Sequence, residues 1–487
     1  MTHPASRAGV FNARRTLALA LLIAGSLLLP APAAKASPFT TGFFDDGAYL
    51  SNDSGSWLDR TAAAGAGIVR IGVNWADVAP STQPADPSNP AAGYDWTAID
   101  RAVRGASARG IDVLLTVCFA PAWAEGPNRD PNAPAGTWRP DPNQLGLFAQ
   151  ALATRYSGSY FDPGLGVTLP RVRYYQAWNE PNLSTYLTPQ WSSGAAASPF
   201  QYRSMLNAFY AVVKGIHADN LVLSAGTAPY GDPGMGRRMR PVLFMRTLLC
   251  LTVTGKKRTL QTTSCPNPAH LDAIAHHPYA IADPRHQAYD PDDAAVPDLW
   301  KLRQVLQVAQ NNGRVLPAGP KRFWVTEFSW DSGPPDPSGV PVATQARWLE
   351  EAMYMFWNQG VDTAIWYLVK DAPPVPSYDA SYQSGVFYSG GATKPAYTSF
   401  HFPFVADRLS KKRLRIWGRA PITGPISIQA IAGGKGHSKR RKRHAWQTVM
   451  RLQGQAGNVF LGTLRSKGAV KLRAVGPSGP SLVWSQR

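Results

Sequence analysis

Between residues 37 and 403 short apolar runs alternate with amphipathic or alanine-rich ones. Eight of the apolar runs have the length and the β-branched or aromatic content of buried strands: residues 39–44, 67–73, 111–117, 171–178, 221–225, 271–277, 322–327 and 363–366. Between the second and third, Ile99, Ala102, Val103 and Ala106 form a stripe at helical spacing that opens at Thr97 and closes at Gly110. Residues 145–156, 202–217, 299–311 and 344–358 read as comparable helices. Parallel strands need crossover helices, so the alternation predicts an α/β fold, a (β/α)8 TIM barrel. A doubly wound sheet would show fewer strands and a glycine-rich phosphate turn, which the chain does not have. Pro/Gly-rich stretches at 79–93, 121–142, 231–240, 280–297 and 332–342 follow strand ends, where long loops predict a walled cleft.

After about Asp407 the texture changes. Residues 413–417, 426–431, 445–452, 459–464, 469–474 and 482–484 are β-like runs separated by Gly, Pro and Ser, without a helical pattern. They predict a small all-β, sandwich-like domain over 405–487, following a catalytic domain over 37–404. At the other end, Arg14 and Arg15 precede an apolar run over 17–29, and Ala34-Lys35-Ala36 follows. Residues 1–36 thus read as a secretory signal peptide, with a retained anchor as the alternative. The run falls short of the ~20 apolar residues of a bilayer span, so no stable membrane span is expected.

Secretion bears on the cysteines. Three in 487 residues leave the fold to core burial, with Cys250 and Cys265 positioned to pair around a basic, Thr-rich loop and Cys118 ending an apolar strand. Charge sharpens the domain division. Of the net +19, +17 lies beyond residue 404, where 18 Lys and Arg meet one acid, Asp407. Residues 433–444 alone hold six of these cations and read as a solvated hairpin loop. Residues 37–404 are close to neutral. The basic module predicts attraction to an anionic cell-wall polymer, or a solubilising and packing role. It carries no nucleic-acid recognition motif, so no nucleic-acid partner is expected.

The candidate chemistry lies in two strands. Tyr174-Tyr175-Gln176-Ala177-Trp178-Asn179-Glu180-Pro181 and Phe323-Trp324-Val325-Thr326-Glu327-Phe328 each deliver a glutamate at the C-terminal end of an apolar run. A carboxylate among Trp, Tyr and Phe loses hydration, so it is paired or it performs chemistry. Two at equivalent strand ends match the carboxyl pair of glycosidic bond hydrolysis. Arg70, inside Ile68-Val69-Arg70-Ile71, is a further charge that needs a partner, either at the site or in a salt bridge at the barrel bottom.

The Trp-Asn-Glu-Pro and Val-Thr-Glu-Phe segments resemble the acid/base and nucleophile strands of clan A retaining glycoside hydrolases, which include families 5 and 39. The resemblance covers roughly residues 39–400. It implies Glu180 as general acid/base and Glu327 as nucleophile, Arg70 beside the nucleophile, and Asn179 on a sugar hydroxyl. It also implies His277 and Tyr279 as the sixth-strand pair ordering the polar network, and Trp366 as an aromatic floor under the sugar. Trp75, Trp123 and Trp330 are either further subsites or loop packing, and either Asn74 or Trp75 is the second-strand residue that reaches the sugar.

Adjacent His276 and His277 point to opposite faces of a strand, so no metal site and no cofactor are expected. The implied activity is that of a secreted glycosidase acting on the O-glycosidic bonds of a poly- or oligosaccharide by double displacement. A non-catalytic carbohydrate-binding barrel and a transglycosidase attached to the cell wall are the alternatives.

Overall fold

The computed structural model describes residues 39–432, 445–466 and 470–485. The signal-peptide reading of 1–36 and the basic run at 433–444 lie outside these residues. Eight parallel strands close into a barrel: β1 (Thr40–Phe44), β2 (Ile68–Asn74), β3 (Asp112–Cys118), β4 (Tyr174–Ala177), β5 (Leu221–Thr227), β6 (Ala273–His276), β7 (Arg322–Val325) and β8 (Thr363–Tyr367). They pair in chain order, and β8 returns to β1 from Thr40↔Thr363 to Phe44↔Tyr367. Each strand is followed by a helix: α1 (Ser54–Ala63), α2 (Thr97–Ser107), α3 (Pro142–Arg155), α4 (Ser198–Ile216), α5 (Pro241–Leu248), α6 (Leu299–Asn311), α7 (Val342–Asn358) and α8 (Pro395–His401).

Local chemistry explains where expectation and structure differ. Helix α2 begins at Thr97, where the pattern opens, and the Asp95 carboxylate accepts from the Thr97 amide at its start. Gly110 does sit in the left-handed region, φ 66°, just beyond the end of that helix. Helix α3 begins at Pro142, three residues before its apolar stripe, because Asp141 accepts from the amides of Asn143 and Gln144 and proline is tolerated in the first turn. Strand β4 is shorter than its apolar run. Trp178 adopts φ 75°, which turns the backbone out of the sheet.

The barrel interior is layered. Ile68, Leu114, Leu223, Ala273, Trp324 and Ile365 form an apolar plug, with Phe44 and Tyr174 packed against it. Strand side chains alternate between faces, so the next inward positions along β2, β3, β4 and β7 are Arg70, Thr116, Gln176 and Thr326, all buried. The interior therefore changes from apolar to polar within one inward step toward the C-terminal ends of the strands.

Beyond α8 the chain forms β9 (Phe404–Ser410), β10 (Arg413–Arg419), β11 (Gly424–Ala432), β12 (Gln447–Gly454), β13 (Val459–Arg465) and β14 (Val470–Gly476). Strands β9-β10-β13 make one antiparallel sheet and β12-β11-β14 another, the latter extended by Gly479–Pro480 and Trp484–Ser485. This is the all-β C-terminal part expected from the sequence, although β9 had no counterpart among the predicted strands. The sheets pack on the barrel through buried Trp417, whose ring centroid lies 6.3 Å from Phe39 and 5.7 Å from Tyr354. Arg419 donates to the Gly65 carbonyl at 3.1 Å, and Tyr354 donates to Asp407 at 2.9 Å. A disulfide joins Cys250 to Cys265 at the base of a hairpin. Among the described residues no helix is long and apolar enough to cross a membrane.

Candidate active site

Arg70 is the hub of the polar layer. Its Nε donates to Thr116 Oγ1 at 2.9 Å and to Gln176 Oε1 at 3.1 Å, and its two terminal nitrogens donate to Glu327 Oε1 and, at 2.8 Å, to Asn179 Oδ1. Gln176 carries the network across the barrel, donating to the Ser224 carbonyl at 3.0 Å and to Thr326 Oγ1 at 3.3 Å. Thr326 Oγ1 lies 2.9 Å from His277 Nε2, and His277 Nδ1 lies 2.8 Å from Glu180 Oε1. Tyr279 donates to the other Glu327 oxygen at 2.9 Å. A buried guanidinium costs several kcal/mol unless paired and fully hydrogen-bonded, and here each edge of Arg70 has an acceptor. The barrel-bottom alternative for Arg70 is thereby replaced by a partner at the C-terminal end.

Glu180 is held by backbone conformation as well. Trp178 and Glu180 have φ 75° and 34°, values uncommon outside glycine. The turn is fixed from several sides: the Glu180 amide donates to the Gly226 carbonyl at 3.0 Å, Tyr202 donates to the Ala177 carbonyl at 2.7 Å, and the Trp178 indole donates to the Tyr186 carbonyl at 2.8 Å. Backbone outliers that surroundings over-determine gather at functional sites. Gly226 is needed for a second reason, since a Cβ there would lie 2.0 Å from His277 Nε2. Glycine lets the imidazole approach the β5 backbone.

A carboxylate oxygen of Glu180, one of Glu327 and a ring nitrogen of His277 all lie within 4.8 Å of one another. The environments push the two acids apart. Burial raises Glu180 above the usual carboxylate range, and the negative Glu327 adds to this against the opposing pull of His277. Burial also acts upward on Glu327, but the charges of His277 and Arg70 and the bonds from Arg70 and Tyr279 outweigh it and hold Glu327 below the usual range. The two carboxyls are thus displaced in opposite directions, the division a proton donor and a nucleophile require.

The pair opens into a cavity of about 370 Å³ whose walls include Phe44, Phe119, Tyr186, Tyr367 and Tyr382. Arg70, Asn179, Glu180, Tyr279 and Glu327 all line it, and His277 lies behind Glu180. Trp366 does not. Ile365 and Tyr367 face inward, so strand alternation turns Trp366 outward, where it is fully buried, donates to the Ser384 carbonyl at 2.8 Å and packs edge-on against Phe328. Tyr367, one residue further, takes the inward position. Trp75 is buried against Phe148 and Trp123, Trp330 packs on Trp348, and Asn74 donates to Asp77, so none of these lines the cavity either. Tyr186 and Tyr382 come from the segments after β4 and β8, outside the five Pro/Gly-rich stretches.

Sequence reasoning missed Asp46, which lines the same cavity just beyond β1. It accepts from the Gly72 amide at 2.8 Å, and burial raises it to about 6. The signal was the pair Asp45-Asp46 directly after an apolar strand. His276 faces away from the cavity, bonded to Thr227 Oγ1 and the Ala294 carbonyl, each at 2.8 Å, and burial lowers it to about 3.

No family profile matches the chain, and no curated protein matches it in sequence. Solved structures do match in fold. A family 39 glycoside hydrolase from the gut symbiont Bacteroides cellulosilyticus superposes with a TM-score of 0.55 at 17% identity, over 88% of this chain and 81% of that one. A family 39 β-xylosidase from Caulobacter crescentus gives 0.50 at 16% identity, over 88% of this chain and 98% of that one. The chain thus shares the barrel-plus-β architecture of these clan A glycoside hydrolases.

Proposed function

We propose that this protein is a secreted retaining β-glycoside hydrolase acting on a poly- or oligosaccharide. The observation that carries the reading is the approach of Glu180 and Glu327 within 4.8 Å in one cavity, with their proton affinities displaced in opposite directions. Retaining enzymes hold their carboxyls ~5–5.5 Å apart, whereas inverting ones leave ~6.5–9.5 Å for a water.

In the first step Glu327 attacks the anomeric carbon while Glu180 protonates the departing glycosidic oxygen, which leaves as an alcohol. A glycosyl ester on Glu327 results. In the second step Glu180, now ionised, takes a proton from water as the water oxygen attacks the anomeric carbon, and Glu327 leaves as a carboxylate. Arg70 and Tyr279 stabilise that carboxylate in both directions. Asn179 keeps its Oδ1 on Arg70, which orients its amide NH₂ as a donor for a sugar hydroxyl. The aromatic walls suit the apolar face of a pyranose. The basic C-terminal module, which we place outside the cell with the enzyme, holds it near an anionic wall polymer.

The test is release of reducing ends from a panel of β-glucans, xylans, mannans and bacterial cell-wall glycans by the wild type and by Glu327→Gln. Activity on one class, lost in the variant, supports the reading and identifies the sugar. Equal activity in both proteins would overturn it.

A further inference from the structure

The C-terminal sheets hold a second concavity that shares no residue with the catalytic one. At the outer end of sheet β9-β10-β13 a cavity of about 600 Å³ is lined by Ser410, Lys412, Arg413, Arg465 and Ser466. Arg413 and Arg465 are direct partners across the β10–β13 ladder, and Ser410 is the partner of Arg413 on β9. Like charges directly opposite one another destabilise a sheet. Among the described residues no carboxylate lines the cavity to relieve them. The one acid beyond residue 404, Asp407, is turned to the barrel by Tyr354 and Arg285.

The corner itself is built. The Ser466 amide donates to the Lys412 carbonyl at 3.1 Å, which ties the end of β13 to the β9–β10 turn. Arg408 donates to the carbonyls of Ser410, Lys411 and Ser466, each at 3.4 Å, so another cation covers the oxygens that would otherwise repel an anion. Two arginines, one lysine and two serines thus line one space. Guanidinium forks match the paired oxygens of phosphate and carboxylate groups.

We propose that this corner is the binding site through which the module holds an anionic glycan, with Arg413 and Arg465 gripping one oxyanion of the polymer and Lys412, Ser410 and Ser466 completing the contact. The proposal rests on the polymer-binding reading of the module and assigns that binding to one place. It relieves the repulsion between Arg413 and Arg465, which no carboxylate among the described residues offsets at the corner.

The experiment measures binding of the full-length chain to a poly(glycerol phosphate), to polygalacturonate, to neutral glucan and to duplex DNA, across a salt series. The Arg413→Ser/Arg465→Ser double variant is compared with Arg451→Ser/Lys471→Ser, which removes the same charge from exposed positions on the other sheet. The corner double should weaken polyanion binding by about tenfold and reduce the salt slope by about two, while the control changes it by less than about threefold. A larger loss on the phosphate polymer than on the polyuronate, or the reverse, identifies the oxyanion. Cleavage of a small soluble substrate should be unchanged in both doubles, and Glu327→Gln should bind like the wild type. Equal losses in the two doubles would overturn the site, and tighter binding to DNA would overturn its assignment to a glycan. Absence of polyanion binding by the wild type would sink the reading of the whole module while leaving the hydrolase untouched.

Discussion

The barrel and the C-terminal sheets treat charge in opposite ways. In the barrel, buried charges come with partners: Arg70 with Glu327, Arg155 with Asp100, Arg246 with Asp292 and Lys394 with Asp371. Beyond residue 404 the sequence sets 18 cations against a single acid, and that acid faces the barrel. Burial explains the difference. A charge removed from water must recover its hydration energy from a partner, whereas an exposed one keeps its hydration and stays without a counter-charge at a smaller cost. A partner in the first region is therefore a structural requirement that chemistry can exploit. A missing partner in the second is an opening for a ligand.

The comparison breaks most visibly at Arg70. Arg70→Met removes the cation from a closed network and leaves Glu327 buried without its counter-charge. The expected result is activity at background and a loss of about 3–5 kcal/mol of stability by denaturant unfolding. Retained activity in a folded Arg70→Met protein would show that Glu327 does not depend on that pair.

Glu180→Gln tests the proton inventory. With Glu327 below and Glu180 above the usual carboxylate range, kcat/KM should follow a bell: its acid limb falls as Glu327 is protonated, and its alkaline limb falls as Glu180 loses its proton. The substitution should lower the rate on substrates with poor leaving groups by about 10²–10⁴-fold and abolish the alkaline limb. An unchanged limb would remove Glu180 from the role of acid.

The smallest effect concerns the seam between the two regions. Glu350, on α7, is buried beneath Phe404, whose amide donates to it at 3.4 Å, and burial raises the carboxyl to about 8. The unfolded chain releases this proton near 4.5 and the folded chain near 8, so the folded state binds more protons between those values. Its contribution is full below pH 4.5 and is lost as pH rises toward 8. Thermal unfolding should show a Tm that declines across this window, and Glu350→Gln should reduce the decline. An unaltered slope would place the pH dependence elsewhere.

Much of this was legible in the sequence for definite reasons. The strands of a barrel are buried on both faces, so apolar runs mark them, and a charge within such a run stands out, as Arg70, Glu180 and Glu327 did. Exact strand ends were less legible. The family resemblance implies Trp366 as the floor of the cavity, yet the inward set on β8 is Ile365 and Tyr367, and only pairing register distinguishes the two faces. Gln176, Thr116 and Thr326 were hidden for a related reason, since single polar residues in strands are common and only the closed barrel brings these to one layer. Likewise, the opposition of Arg413 and Arg465 depends on a pairing between strands about fifty residues apart, which charge counting does not reveal.

The most direct test of the two-glutamate account is peptide-mapping mass spectrometry after reaction with an activated 2-deoxy-2-fluoro glycoside of the sugar found in the panel. The fluorine slows breakdown of the glycosyl ester, so the account predicts one sugar per chain, attached to the peptide containing Glu327 and absent from Glu327→Gln. A label on Glu180 instead, or no label on an enzyme that turns over the parent glycoside, would contradict it.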